Sequence, residues 1–321
     1  MLTVLSSPKP FLGETAWNQL NALRSWRAIH PDVEIIIFGA PAGAAEAAAE
    51  VGAVLVPEIE FSASGAPSFN SMVEYACPHG RYEQQVYVNA DILLDSSILD
   101  AIETSARRFD RFLLVGERMD LAPTVRIEAR KPGWVTNLTD LNLAKQLLPH
   151  GHTGTDYFGF TRGMWDGLPA VFMGRAMCDQ ALLHFCFTRR IPVIDATLLV
   201  VAVHQFHDYG HIAGGLQEVF MGEDWKTMKA DHGLHNSLPT IGDADWCLVE
   251  RGVIQPNRFR RRLLRRMEII FRYRFRLGVF SAVLRAMQYM PYGKKGVLPK
   301  KLSGTLILNA WTKRHLAGRS Q

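Results

Sequence analysis

The feature that most constrains the fold is an alternation of short apolar runs with helix-patterned segments over the first third of the chain. The apolar runs have the length of strands and lie at 2–6, 33–40, 53–58, 84–90 and 111–119. The segments between them have apolar residues near helical spacing and lie at 14–29, 42–52, 68–77 and 96–109. Strands that alternate with helices in this way predict an α/β fold with a mostly parallel central sheet flanked by helices.

The pattern is less regular in the second half of the chain. A strand-like run at 156–165 is followed by a helical segment at 178–190. The apolar run 191–203 predicts either a strand pair or one long buried strand. A polar, histidine-rich loop is predicted at 204–215, and a long irregular segment at 216–257.

Charge is distributed unevenly along the 321 residues. The net charge is +5, but residues 258–321 contain 17 Lys and Arg against one acid, Glu268, whereas the remainder carries a net charge of −11. Apolar residues of this tail fall on one helical stripe and arginines on another, a pattern typical of a helix that lies on anionic lipid. We therefore expect a basic amphipathic helical tail that meets an anionic membrane surface. The alternative is a tail that packs on the acidic body of its own chain.

The lack of a signal-peptide pattern and the spacing of the cysteines predict a cytoplasmic protein, either in solution or peripheral at the inner face of the membrane. The N-terminal residues lack the basic region and long apolar run of a signal peptide. The longest apolar run, 191–203, is too short to span a bilayer and contains Asp195. The four cysteines form no C-x-x-C pair, which indicates reduced thiols rather than a disulfide framework.

Two polar residues stand at the end of a strand that the sequence predicts to be buried. The stretch "VYVNADILLD" places Asn89 and Asp91 directly after an apolar run. In α/β sheets, ligands gather at the carboxyl ends of strands, where a carboxylate is well placed to hold a divalent cation against a diphosphate. The alternative is that Asp91 caps the following helix or joins a turn.

Histidines cluster after the last predicted strand, in "HQFHDYGH", which contains His204, His207 and His211. Histidine is a common ligand of transition metals, and loops that follow buried strands often carry active-site residues. The alternative is a solvated polar loop with one or two capping residues. The sequence contains no H-E-x-x-H, so it does not favour a zinc protease.

A third group of candidates lies in "GRAMCDQALL", at the front of the helix predicted to begin near Met177. Asp179 is either a carboxylate that is favoured there by the helix N-terminus or a general base that reaches into a site. Arg175 has the bidentate geometry that suits phosphate oxygens.

Taken in chain order, these residues resemble those of nucleotide-sugar glycosyltransferases of the glycosyltransferase-A fold. More narrowly, the chain is similar to a group of uncharacterised bacterial glycosyltransferase-like proteins. The resemblance covers roughly residues 3 to 212 and excludes the tail. It rests on the segments "SSPKPF", "NALRSW", "VEIIIFG", "VNADILL", "FLLVGERMDL", "TDYFGFTRG", "GRAMCDQALL" and "VIDAT" with "HQFHDYGH".

The resemblance implies a role for each candidate. Asn89-Ala90-Asp91 stands where the family has D-x-D, so Asp91 and one of His204 or His207 would hold Mn²⁺ or Mg²⁺. Asp179 matches the catalytic base of inverting members, and Asp156 and Glu117 are alternative carboxylates near other strand ends. The residues expected at the nucleotide are Ser6, Ser7, Lys9, Asn70, Asn89 and Arg175. One departure is Asn89, which stands where the family has an acid. Asn89 can hydrogen-bond a ribose hydroxyl, but the cation would be held by one fewer negative charge.

The resemblance therefore implies a metal-dependent, inverting glycosyltransferase that moves a sugar from a nucleotide-sugar donor, preferably a UDP-sugar, to a glycan or lipid-linked acceptor hydroxyl. Its parts would be a catalytic domain at 1–215, an irregular lid or acceptor-side segment at 216–257, and the tail at 258–321. Three alternatives stay open: a nucleotidyltransferase, a non-catalytic protein that binds nucleic acid or membrane, and an inactive glycosyltransferase-like scaffold. No nucleic-acid partner is expected, because the tail lacks zinc motifs and recognisable RNA-binding signatures.

Overall fold

In the computed structural model, the described residues are 1–130, 134, 146–206, 221–234, 238–250 and 252–256, with 263–264, 266–267, 271, 283–284 and 287 in the tail. The helices are α1 (Gly13–Arg27), α2 (Ala44–Val51), α3 (Phe69–His79), α4 (Ser97–Ala106), α5 (Cys178–Thr188) and α6 (Glu223–Asp231). The strands are β1 (Thr3–Ser6), β2 (Glu34–Phe38), β3 (Val54–Val56), β4 (Gln84–Val88), β5 (Ile92–Leu94), β6 (Leu113–Val115), β7 (Met119–Leu121), β8 (Leu147–Pro149), β9 (Tyr157–Thr161), β10 (Val193–Asp195), β11 (Ala202–His204), β12 (Trp246–Val249) and β13 (Gly252–Ile254).

A nine-stranded sheet forms the centre of the described fold, in the order β13-β12-β10-β6-β9-β4-β1-β2-β3. The strand pairs β1–β2, β2–β3, β1–β4, β6–β10 and β10–β12 are parallel. The pairs that involve β9 or β13 are antiparallel. The predicted α/β class and mostly parallel sheet are therefore confirmed.

The central sheet is buried on both faces, which explains the continuous apolar runs in its strands. In β2, Ile35 and Ile37 join one hydrophobic cluster, whereas Ile36 and Phe38 join the cluster on the other face. Helices α1, α2 and α4 contribute to the first cluster, and α3, α5 and α6 to the second. The result is a three-layer arrangement with helices on each side of the sheet.

A second, four-stranded sheet has the order β5-β11-β7-β8. Apolar residues of β5, β7 and β11, among them Leu93, Met119 and Val203, join the same hydrophobic cluster as helix α1. The sequence pattern did not separate this sheet, because its strands are three residues long, and β5 and β7 begin within four residues of the ends of β4 and β6.

Two regions follow the sequence predictions only in part. The run 191–203 forms two strands, as one of the two readings proposed, but β10 lies in the large sheet and β11 in the small one. The segment 216–257, predicted to be irregular, contains α6, β12 and β13. Strands of the central sheet thus come from both sides of the predicted boundary at residue 215.

The basic tail, 258–321, lies largely outside the described residues. The described tail residues other than Phe271 are in α-helical conformation, and of these Leu264 and Leu284 are buried whereas Leu263 and Val283 are exposed. The described part of the chain contains no helix that is both long and apolar enough to cross a bilayer.

Close packing at the end of β6 generates a test of the fold. A Cβ atom on Gly116 would overlap the Tyr157 hydroxyl and lie 3.0 Å from the Thr197 backbone nitrogen. Because Tyr157 is fully buried, the overlap cannot be relieved by moving into solvent. Gly116→Ala should lower the free energy of unfolding by about 1–3 kcal/mol, measured by urea denaturation. Adding Tyr157→Phe should reduce the effect of the alanine; an unchanged unfolding midpoint in Gly116→Ala would contradict this packing.

Candidate functional site

The site lies at the edge of the central sheet where β1 and β4 end. Asn89 and Asp91 follow β4, and Asp156 precedes the antiparallel β9, so the sheet brings their backbones to the same edge. The Asn89 backbone N–H donates to the Asp156 carbonyl at 2.9 Å. The Asn89 side-chain amide donates to Asp156 Oδ1 at 2.6 Å. Asn89 is thus engaged with a carboxylate that lies 67 residues further along the chain.

The small sheet brings two further ionisable side chains, His204 and Asp120, close to Asp91. His204 is paired with Ile92, next to Asp91, in antiparallel register, and with Asp120 in parallel register. His204 Nε2 lies 3.9 Å from Asp91 Oδ2, and His204 Nδ1 lies 3.4 Å from Asp120 Oδ1. One imidazole therefore stands between two carboxylates.

Arg118 connects these two parts of the site. Its Nη1 donates to Asp156 Oδ2 at 2.5 Å, and its Nε donates to Asp120 Oδ1 at 2.9 Å. Its Nη2 lies 3.3 Å from His150 Nδ1, which is itself 2.8 Å from Asp120 Oδ2. A guanidinium that is only 13% exposed and bonds two carboxylates fixes both of them, because the charged hydrogen bonds are strong and directional.

The charges of this network shift its pKa values strongly. Burial would raise the pKa of Asp120, but hydrogen bonds from His150 and His204 and the charge of Arg118 hold it well below its usual range. Burial would lower the pKa of Arg118, but Asp156 and Asp120 raise it above its usual value. Both groups are therefore ionised throughout the neutral pH range.

Buried amides of helix α1, together with Gln205 directly after β11, hold the surrounding loops. Gln205 donates to the Asp91 backbone carbonyl from its own backbone nitrogen, at 3.2 Å, and from its side chain, at 3.1 Å. Asn21 in turn donates to Gln205 Oε1 at 2.8 Å. Gln19 bonds both the backbone N–H and the carbonyl of Lys9, at 2.6 and 2.8 Å. The Lys9 loop is thereby tied directly to α1, and the Asp91 loop is tied to α1 through Gln205.

Lys9 brings a positive charge to the same edge. Burial lowers the pKa of Lys9, and the negative charges of Asp91 and Asp156 partly offset that effect. The two predicted serines lie close by: Ser6 donates to the Val88 carbonyl at 2.6 Å, and Ser7 to the Phe38 carbonyl at 3.1 Å. Their hydroxyls hold β1 against its neighbours, and their oxygens retain acceptor capacity.

Asp179 lies in the first turn of α5, after Met177, which takes the left-handed conformation with φ 75°. A left-handed Met is a strained residue of the kind that clusters at functional sites. Burial raises the pKa of Asp179 to about 7; the charge of Asp156 raises it too, whereas hydrogen bonding at Gln180 and the charge of Arg118 lower it. Asp179 is therefore electrostatically coupled to the network around Asp91.

The remaining candidates have different surroundings. The Asn70 amide donates to the Leu168 carbonyl at 2.9 Å and accepts from the Val171 backbone N–H at 2.9 Å. Arg175 Nε lies 3.3 Å from Asp224 Oδ2, so its charge is already balanced by a buried acid. The nucleotide-binding roles assigned to Asn70 and Arg175 stay predictions that must compete with these contacts. His207 lies outside the described residues, so only His204 of the two predicted histidines is located.

The described residues offer two ligands, not a complete set, for a divalent cation of the predicted kind. Among the residues that the structure describes, no group of three or more metal-ligating side chains occurs. Asp91 and His204, with donor atoms 3.9 Å apart, can supply two ligands. Two ligands suffice for Mg²⁺ or Mn²⁺ at a phosphate site, because such ions take their other ligands from substrate phosphates and water.

Sequence reasoning missed the residues that organise the site, namely Arg118, Asp120, His150 and Gln205. The signal for the first two was present in "GERMDL", where basic and acidic side chains alternate at a strand end. His150 follows a strand in a region without clear periodicity. The sequence placed Gln205 in a polar loop, whereas its side chain is buried in the structure.

Comparisons with known proteins give only structural similarity. No protein-family model and no curated protein sequence matches the chain. A proposed nucleotide-diphospho-sugar transferase from Desulfovibrio desulfuricans G20 is 11% identical, with a TM-score of 0.40, over 73% of this chain and 96% of that chain.

Glucosyl-3-phosphoglycerate synthase from Mycobacterium tuberculosis is similar at the same level. Its complex with Mg²⁺ and UDP is 13% identical, with a TM-score of 0.42, over 74% of this chain and 81% of that chain. Its complex with Mn²⁺, UDP-glucose and phosphoglyceric acid is 15% identical, with a TM-score of 0.43 and the same coverage. Because each TM-score is below 0.5, these similarities do not assign a function to this chain.

The raised pKa of Asp179 predicts a stability effect. A carboxyl whose pKa is about 7 when folded and 3.8 as a model value binds protons more tightly when folded. The free energy of unfolding should therefore fall as pH rises from about 4 to about 7, and the loss stays constant above that range. Asp179→Asn removes this cost.

The variant should thus have a higher Tm than the wild type at pH 8.5 and nearly the same Tm at pH 4, by differential scanning calorimetry. Each pKa unit corresponds to about 1.4 kcal/mol, so a gain of roughly 2–4 kcal/mol is expected at the higher pH. Asp166→Asn, which changes an exposed acid, serves as the control. A lower Tm for Asp179→Asn at pH 8.5 would contradict the assigned environment of Asp179.

Proposed function

We propose that the protein is a glycosyltransferase that uses a nucleotide-sugar donor, with a UDP-sugar preferred and a glycan or lipid-linked hydroxyl as acceptor. The observation that carries the proposal is the pairing of Asp91 and His204 at the carboxyl edge of the sheet. This edge is the usual ligand-binding position in α/β folds. The sequence resemblance assigned Asp91 and one of His204 or His207 to one metal site.

Asp91 and His204 would hold Mn²⁺ or Mg²⁺ against the donor diphosphate. When bound, the cation would neutralise negative charge that develops on the leaving nucleoside diphosphate. Burial lowers the pKa of Lys9, whereas the negative charges of Asp91 and Asp156 favour its charged form. Asn89 bonds Asp156, so its amide orients that carboxylate in addition to any contact with a ribose.

Asp179 is the proposed general base. A base works best when its pKa lies near the working pH, and burial places the pKa of Asp179 at about 7. In the deprotonated state it would take the proton of the acceptor hydroxyl, whose oxygen then attacks the anomeric carbon. The bond from that carbon to the diphosphate breaks, and the nucleoside diphosphate leaves with inversion. Asp156 contributes to the raised pKa through its negative charge.

Binding of the donor nucleotide provides the first test. UDP, GDP, CMP and dTDP are screened by thermal shift, each with and without Mn²⁺. A ligand that binds only the folded state raises Tm. At a ligand concentration of about 100 times Kd, the free energy of unfolding rises by about 2.7 kcal/mol. One nucleotide should raise Tm in a Mn²⁺-dependent manner in the wild type and in Asp100→Ala, which changes an exposed acid on α4. Asp91→Ala should lose the shift; an equal shift in Asp91→Ala would remove Asp91 from the site.

Turnover provides the second test, measured as the nucleoside diphosphate released from the donor that the screen identifies. Asp179→Asn should lower kcat by about 10²–10⁴-fold and leave nucleotide affinity nearly unchanged. The wild-type rate should rise with pH through about 7, since the base must lose its proton.

Release of pyrophosphate instead of a nucleoside diphosphate would favour the nucleotidyltransferase alternative. Near-normal turnover in Asp179→Asn would exclude Asp179 as the base.

A further inference from the structure

We propose that Asp120 is a positioning residue for His204: it accepts the Nδ1–H of the imidazole and so turns the unprotonated Nε2 toward Asp91 as the metal-binding nitrogen. The inference rests on the proposed function, because it names the residue that prepares one ligand of that site. Neither the D-x-D-like stretch nor the histidine cluster points to Asp120.

The strand register supports this role. His204 and Asp120 are direct partners on the parallel strands β11 and β7. Side chains of paired residues lie on the same face of a sheet, so the two groups are held side by side by backbone hydrogen bonds. His204 Nδ1 lies 3.4 Å from Asp120 Oδ1, so this ring nitrogen is the one that faces the Asp120 carboxylate.

The orientation of Asp120 is fixed by two other side chains. Arg118 Nε donates to Oδ1 at 2.9 Å, and His150 Nδ1 lies 2.8 Å from Oδ2. Arg118 is itself tied to Asp156 and is nearly buried. The carboxylate therefore cannot rotate away from His204 without breaking charged hydrogen bonds.

Asp120 is better suited to orient His204 than to bind the cation itself. The oxygen that faces His204 is the same oxygen that accepts from Arg118. A divalent cation at that oxygen would be repelled by a guanidinium at hydrogen-bond distance. On the other side of the ring, the 3.9 Å between Nε2 and Asp91 Oδ2 is too long for a hydrogen bond but suits a cation that contacts both atoms.

The chemistry of imidazole joins these observations. In the neutral ring one nitrogen carries the proton and the other carries the lone pair, and the hydrogen bond made by the first decides which nitrogen can bind a metal. A carboxylate that accepts from the protonated nitrogen also raises the basicity of the ligating nitrogen. Asp120 would do both for His204.

The test compares Asp120→Ala with Asp120→Asn, which keeps an oxygen acceptor but loses the negative charge. Mn²⁺ affinity is measured by electron paramagnetic resonance of the free ion, in the presence of the nucleotide that binds the wild type. Asp120→Ala should bind Mn²⁺ about 10–100-fold more weakly. Asp120→Asn, which keeps an acceptor for Nδ1–H but loses the charge, should weaken Mn²⁺ binding less than Asp120→Ala does. Wild-type affinity in Asp120→Ala, or equal weakening in both variants, would overturn the inference.

A second readout needs neither metal nor activity. Nitrogen NMR of ¹⁵N-histidine-labelled protein at pH 8.5 reports the tautomer of each ring, and loss of one signal set in His204→Gln identifies His204. The wild type and Asp120→Asn should show the Nδ1–H tautomer, and Asp120→Ala should lose that preference. If the wild type shows this tautomer but binds no Mn²⁺, the proposed function fails while the positioning contact stands. An Nε2–H tautomer in the wild type would overturn the positioning role whatever the metal result.

Discussion

The guanidinium of Arg118 is the interaction on which the rest of the site depends. It is shared between Asp120, in β7 of the small sheet, and Asp156, directly before β9 of the large sheet, and it also approaches His150. Two carboxylates this close together would repel each other without a cation between them. Removing the guanidinium would leave the nearly buried Asp156 carboxylate without its charged partner. Arg118 therefore sets the distance between the carboxylate that Asn89 contacts and the one that contacts His204.

The arrangement of strands determines which residues Arg118 can join. The antiparallel β9 lies between β4 and β6, so Asp156 enters the sheet at the edge where β4 ends. After β4, the chain continues directly into the small sheet, whose register sets Asp91, His204 and Asp120 side by side. The site is thus built from segments that are distant in sequence, and the side chains of α1 hold the loops between them.

The sequence predicted the parts of this structure that depend on local pattern. The alternation of apolar runs and helical segments identified α1 to α4 and the parallel strands of the first half, because each is a contiguous signal. Asp91, His204 and Asp179 were singled out because they stand at strand or helix ends, where polar residues interrupt apolar runs, and their roles stay predictions. In each case the chemical type of the residue and its place in an element were both visible in the sequence.

The sequence did not predict contacts that depend on tertiary pairing. Arg118 and Asp120 are an ordinary pair of charges in sequence, and only the register of β7 with β11 makes them part of the site. Asn89, expected at a ribose, bonds Asp156 because an antiparallel strand lies beside β4. The short strands β5, β7 and β8 carry too few residues for periodicity to be detected. Arg175 was expected at a phosphate, but its partner, Asp224, lies in a segment that reads as irregular.

The most direct measurement of the central claim is a crystal structure of the protein with Mn²⁺ and a nucleoside diphosphate, with diffraction data collected near the manganese absorption edge. The account predicts an anomalous peak between Asp91 Oδ2 and His204 Nε2, within about 2.5 Å of each atom, with phosphate oxygens completing the coordination. An anomalous peak elsewhere, or a nucleotide bound at this edge with no cation between those two atoms, would contradict it.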